Sequence, residues 1–340
     1  MFSSLIFSLP PVQPTDFVAE LRAREVLTEA QAEAIYEYER TRPFSLHYEL
    51  RTLLYLGIVL LTGGLGVLLY QHADDISHSL IVAALVLLMA GSFGYAARHQ
   101  PPFTWQQAPT PSVLPDYLLL LGCLLFLSLE GYLQAKYTFF SNRYGLATLL
   151  PALLFLPLAY RFDHRGVLSM AITALAAWVG LSVAPLSVFS NQFLTAAICR
   201  AAIGLGMFLL LVAWQSEKRR LKPHFAYTYL LLGSNLLLAS ATAAMSQELL
   251  RPLVLLFLLI LGVCAYLFLY ARRTHSYLFM LLSVGYGYVA VTYGLFSLLE
   301  YTHGDIVGLF IFYIICSVAG IVWFLANIQK IVGTDDRQSL

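Results

Sequence analysis

The sequence predicts an all-α fold, a polytopic transmembrane helical bundle of about ten spans with a short cytoplasmic N-terminal helical hairpin. Three observations carry that expectation. The 340 residues are 59% hydrophobic and only 11% charged, whereas a soluble domain carries about a quarter charged residues. Mean hydropathy is +0.74. The apolar residues also collect in runs of the roughly 17–25 residues needed to cross a hydrocarbon core of about 30 Å. A large soluble core does not account for this composition, because a globular surface still needs polar cover.

Residues 1–13 read as an apolar, Pro-rich leader expected to be disordered. The apolar start has no Lys or Arg before it and no small-residue cleavage site, so no secretion signal is expected. Residues 14–50 form a cytoplasmic helical head. Thr28-Glu29-Ala30-Gln31 is a capping box that starts its second helix. The transmembrane bundle follows over 51–328 and a cytoplasmic tail over 329–340. Spans are expected near 52–70, 79–97, 116–134, 145–160, 167–188, 193–215, 225–245, 250–270, 277–299 and 306–327. The fourth is short and holds Pro151 and Pro157, so it is expected to be kinked or tilted.

Charge tests the count. With a cytoplasmic N-terminus and ten alternating spans, sixteen of the twenty Lys and Arg fall on the inner side. Among them are Arg98, Arg161, Arg165, Lys218, Arg219, Arg220, Lys222, Arg272 and Arg273. Only Lys136, Arg143 and Arg251 fall outside, and Arg200 lies within a span. The positive-inside rule predicts this asymmetry, and nine spans would destroy it. Both termini are therefore expected in the cytoplasm. The basic run Lys218-Arg219-Arg220-Leu221-Lys222 reads as a topology determinant that can also contact anionic lipid. The net charge of +1 and the absence of a basic patch away from the membrane-flanking loops give no reason to expect nucleic acid. Cys123, Cys199, Cys264 and Cys316 all lie in apolar stretches without metal-ligand spacing, as packing residues do.

Few residues carry chemistry inside the spans. Arg200 costs roughly 2.5–3.5 kcal/mol to place in the bilayer and needs a partner or a wet surface. At about 1.5 Å per residue it lies roughly 10 Å below the outer boundary, and Glu130 lies roughly 20 Å above the inner one. The two are thus expected at nearly the same depth. They are therefore expected to be an ion pair meeting in the bundle interior, as a static lock or on a substrate or proton pathway; the alternative is that Arg200 snorkels to the outer headgroups. Gln134, Asn235, Tyr286 and Tyr293 are further pathway candidates. Tyr286 and Tyr293 share one face of the ninth span, and Tyr288 and Thr292 share another. Ser283/Gly287, Ala290/Gly294 and Ala202/Gly206 are spaced for close helix contact. At the outer side, His72, Asp74, Asp75, His78, His303 and Asp305 have metal-ligating side chains but match no metal-site spacing. No Walker loop, dinucleotide fingerprint or GxSxG motif is present. No cofactor is expected and no catalytic residue is assigned.

The order of features resembles a family. Leu27-Thr28-Glu29-Ala30-Gln31-Ala32 in the head precedes Gly63, Gly64 and Gly66 in the first span and the polar turn Gln71-His72-Ala73-Asp74-Asp75-Ile76. Leu118-Leu119-Leu120-Leu121-Gly122 then leads into Glu130-Gly131-Tyr132-Leu133-Gln134. Over about residues 15–180 the chain resembles a bacterial predicted membrane protein family whose N-terminal portion is a domain of unknown function. It departs from that pattern at Gln71-His72-Ala73, where the family carries an Asn-Trp pair before the acidic residue. The resemblance implies a multi-pass protein of the bacterial inner membrane and transfers no activity.

Three functions fit these residues. The first is a transporter-like or lipid-handling protein with a polar intramembrane site around Glu130 and Arg200. The second is a non-catalytic scaffold or sensor whose head, residues 14–50, binds a cytoplasmic protein. The third is a membrane-embedded metal-dependent hydrolase or transferase using the outer His and Asp residues. Membrane lipids are expected partners in each. A polar central cavity would favour transport and a solid apolar bundle the scaffold.

Overall fold

The structure is a computed structural model. It describes residues 28–35 and 53–67 in part, and residues 77–332 apart from 101, 107–113, 141–143, 184–194, 251 and 303–305. The chain divides into two compact units, Met1–Gly57 and Ile58–Leu340. In the first unit the return half of the expected capping box, from Gln31 to Thr28, is formed. The Thr28 backbone N–H donates to Gln31 Oε1 at 3.1 Å, and the Thr28 hydroxyl donates to the same oxygen at 2.9 Å. Residues 1–27, 30, 34, 36–52 and 333–340 lie outside the described residues, as do 55, 65, 66 and 68–70 of the expected first span. Residues 58–64 of that span are helical.

The second unit is all-helical among its described residues. Its helices are α1 (His78–Arg98), α2 (Leu114–Tyr137), α3 (Tyr144–Phe162), α4 (Arg165–Val183), α5 (Ala196–Arg219), α6 (Pro223–Ser246), α7 (Leu253–Thr274), α8 (Tyr277–Thr302) and α9 (Ile306–Val332). They take up the second to tenth expected spans. The first eight are long and apolar enough to cross a membrane, and α9 contributes the apolar stretch Phe312–Ile328. Length does the work here. Each of the eight keeps its backbone hydrogen bonds inside one helix, which a bilayer demands.

The doubtful fourth span is a full helix. α3 runs through Pro151 and Pro157 without a break, as membrane helices tolerate when neighbours re-satisfy the freed backbone groups. It packs along its length on α4. Other ends follow local chemistry. Thr195 caps α5 by accepting from the Ile198 N–H at 3.3 Å, and Pro223 opens α6 where its missing N–H costs nothing.

Helix packing is most extensive within consecutive pairs: α1 on α2, α3 on α4, α5 on α6 and α7 on α8. Small residues set the closest approaches. A Cβ on Gly206 of α5 would stand 2.7 Å from Leu237 Cβ and 2.8 Å from the Gly233 carbonyl oxygen of α6. Ser283 of α8 donates to the Cys264 carbonyl of α7 at 2.7 Å, and Gly294 faces the Phe257 ring. These are the contacts that the small-residue spacing predicts. One apolar core runs from Ala96 of α1 to Val332 of α9, with Phe155, Phe225, Leu237, Leu238 and Phe279 fully buried.

Inter-turn contacts fix which helix ends lie together. The Lys222 N–H, between α5 and α6, donates to the Trp105 carbonyl between α1 and α2 at 2.9 Å. Tyr270 near the end of α7 donates to Glu217 near the end of α5 at 2.7 Å. His275, after α7, donates to the Val332 carbonyl at the end of α9 at 3.0 Å. The C-terminal ends of α1, α3, α5, α7 and α9 therefore share one end of the bundle, as alternating spans require. Arg98, Arg161, Arg165, Lys218, Arg219, Arg220, Lys222, Arg272 and Arg273 all belong to those ends and turns.

Candidate functional site

The most distinctive polar arrangement lies at this basic end, and of its three residues the sequence singled out only Lys222, as part of a topology determinant. Asp163 sits in the turn between α3 and α4, and Lys222 and His224 lie where α6 begins. Lys222 Nζ is 2.8 Å from Asp163 Oδ1, and His224 Nε2 is 2.6 Å from the same oxygen. The side chains are only 1% (Lys222), 4% (Asp163) and 7% (His224) exposed. Charges so far from water survive only when paired.

The surrounding groups hold this pair in place. Asp163 and Lys222 both adopt left-handed backbone conformations, φ 59° and 49°. Asp visits that region readily; Lys does so at a cost that the surroundings must over-determine. They do. The Lys222 N–H is held by Trp105, its carbonyl accepts from the Ser216 hydroxyl at 3.2 Å, and its ammonium lies over the Phe103 and Phe225 rings at 5.2 and 5.7 Å. Because an ionised Asp163 only accepts, His224 Nε2 carries the hydrogen. Its Nδ1 is then a buried acceptor without a hydrogen-bond partner. Neither described cavity is lined by these three residues. The arrangement ties three segments of the basic end together, and it is a clasp rather than a reacting centre.

Of the residues singled out from the sequence, the structure brings some together and separates others. Glu130 is buried on α2 with 8% exposure, and its Oε1 has no hydrogen-bond partner. By helical spacing it continues the stripe of Leu119, Cys123 and Phe126, the last packed edge-on against Phe155 of α3. Arg200 is exposed on α5. The two form no ion pair, which corrects the expected pairing. Matching depth does not make two helices neighbours: α2 packs chiefly on α1, and α5 chiefly on α6. Arg200's exposure is the setting that snorkelling requires.

The Gln134 Oε1 accepts from the Phe140 N–H at 2.9 Å and closes the turn after α2. Tyr286 donates to Asn235 of α6 at 2.8 Å. The opposite face of α8 meets α9, where Tyr288 donates to Ser317 at 3.2 Å and Thr292 bonds Tyr313. His78 bonds the Tyr132 hydroxyl at 2.7 Å. No metal-binding group of His, Cys, Asp or Glu occurs among the described residues. His72, Asp74, Asp75, His303 and Asp305 lie outside them.

Two lateral cavities flank α8. One, of about 600 Å³ between α8 and α9, is lined by Gly285, Tyr288, Tyr313, Cys316, Ser317 and Gly320, with apolar neighbours. The other, of about 590 Å³, lies beside α7 and is lined by Phe257, Tyr293, Gly294 and Ser297 among apolar residues. Neither is the polar central cavity that an ion or solute pathway would need.

Fold and site thus define a multi-pass helical membrane protein whose basic end is clasped by a buried ion cluster. Residues 19–168 match the family described as "Predicted membrane protein (DUF2157)", the kind of family that the capped head and glycine-rich first span resemble. No curated protein and no solved structure matches the chain.

Proposed function

We propose that this integral membrane protein handles lipid, holding an acyl chain in the groove between α8 and α9. One observation carries the reading: an apolar cavity of about 600 Å³ with the hydroxyls of Tyr288, Tyr313 and Ser317 in its wall. That volume lies within the range of small-molecule sites, which combine apolar walls with a few placed polar groups. A groove between membrane helices is bathed in lipid, so an acyl chain is the occupant at hand. Cβ atoms on Gly285 and Gly320 would meet nothing within 4 Å, so larger side chains there fill the groove without displacing helices. Native mass spectrometry of the detergent-purified protein is expected to show a retained lipid that Gly285→Leu/Gly320→Leu loses. Equal retention by that variant, or none by the wild type, would refute the reading.

We also propose that the clasped end faces the cytoplasm of a bacterium, with both termini inside. The basic residues gathered there support this orientation. A cysteine placed at Arg220, in a background without the native cysteines, is expected to react with an impermeant maleimide only after cells are permeabilised. Labelling of intact cells would invert the topology.

A further inference from the structure

The two cavities beside α8 are not independent. Val291 lines both. The α8–α9 groove begins at Leu281, and the α7-side cavity ends at Ser297. Those residues are about 24 Å apart along the helix at 1.5 Å per residue, against a hydrocarbon core of about 30 Å. The cavities together therefore follow α8 through most of the bilayer. Val291, at 47% exposure, stands where they meet.

The lining states which head could travel there. Among the described residues no charged side chain lines either cavity. A phosphate or ammonium head would lose its hydration with nothing to replace it, at a cost of several kcal/mol. Hydroxyls are present instead, and they lie at mid-depth. Tyr288 bonds Ser317, and Tyr313 bonds Thr292; Tyr293 and Ser297 continue the series toward the far end. Each is both donor and acceptor, so a hydroxyl-bearing head can exchange hydrogen bonds with them without being left unsatisfied.

We infer that the two cavities are halves of one trans-bilayer track for a lipid with an uncharged, hydroxyl-bearing head, the chemistry of a glycosyl diacylglycerol. The track rests on the lipid-binding reading and adds movement and head selectivity to it. The test uses the full chain in phosphatidylcholine vesicles carrying a glucosyl diacylglycerol with a fluorescent tail, bleached by an impermeant reductant. Wild-type vesicles are expected to lose the fluorescence of both leaflets, and protein-free vesicles only that of the outer one. Val291→Trp, placed on an exposed position where the two cavities meet, is expected to restore the outer-only pattern. Val291→Leu is expected to behave as wild type. Outer-only bleaching by the wild type, with lipid still retained, overturns the track and leaves the binding reading intact. Full bleaching by Val291→Trp overturns it as well. Equal transfer of a fluorescent phosphatidylcholine overturns the head selectivity.

Discussion

Asp163→Ala is expected to destabilise the bundle by about 3–5 kcal/mol, the cost of leaving one partner of a buried ion pair alone. The Lys222 ammonium would remain 1% exposed with its carboxylate gone, and His224 would lose the acceptor of its Nε2 hydrogen as well. The rings of Phe103 and Phe225 cannot replace a full charge; a cation–π contact is worth about 0.5–2 kcal/mol. Thermal unfolding in detergent, followed by intrinsic fluorescence, reads the loss. The double variant Asp163→Leu/Lys222→Met is expected to recover much of it, because apolar groups of similar volume often replace a buried pair at little cost. An Asp163→Ala protein that melts with the wild type would show that the ion pair does not hold the turns.

Gly206→Val is expected to cost about 1–3 kcal/mol or more, the range for overpacking a tight core. The first added carbon already stands 2.8 Å from a backbone carbonyl, and backbone cannot step aside as a flexible side chain can. α5 and α6 must part, and they are the most extensively packed pair in the bundle. Gly204→Val is the internal control. It lies on the same helix, where a Cβ meets nothing within 4 Å, and is expected to leave the melting temperature nearly unchanged. Similar losses at both positions would mean that helix propensity, not contact, governs the effect.

The spans were legible in the sequence because hydropathy and length are one-dimensional quantities. The proline-containing fourth span was too, since its turns are bounded by Arg143, Arg161 and Arg165 and the charge asymmetry required it. The small-residue contacts at Gly206 and Ser283 followed from spacing alone. Pairing between distant helices did not. Rise per residue places Glu130 and Arg200 at one height but says nothing of azimuth or of which helix stands next to which. The Asp163–Lys222 contact was illegible for the same reason, since 59 residues separate the partners and only the docking of one hairpin on the next joins them. A signal was nonetheless present: Asp163 is an acid in the basic sequence Arg161-Phe162-Asp163-His164-Arg165, and an acid there raises the question of what it neutralises.

The pairwise packing of consecutive helices has a consequence for biogenesis. Each hairpin makes its most extensive contacts with residues synthesised moments earlier, so little loop-closure entropy opposes them. α3–α4 can therefore be a settled unit before α5–α6 leaves the ribosome. Lys222 arrives with that later unit, in a turn already bent to present it, and Asp163 waits in the earlier one. Their meeting is a late event by construction, since it needs both hairpins to be present and docked.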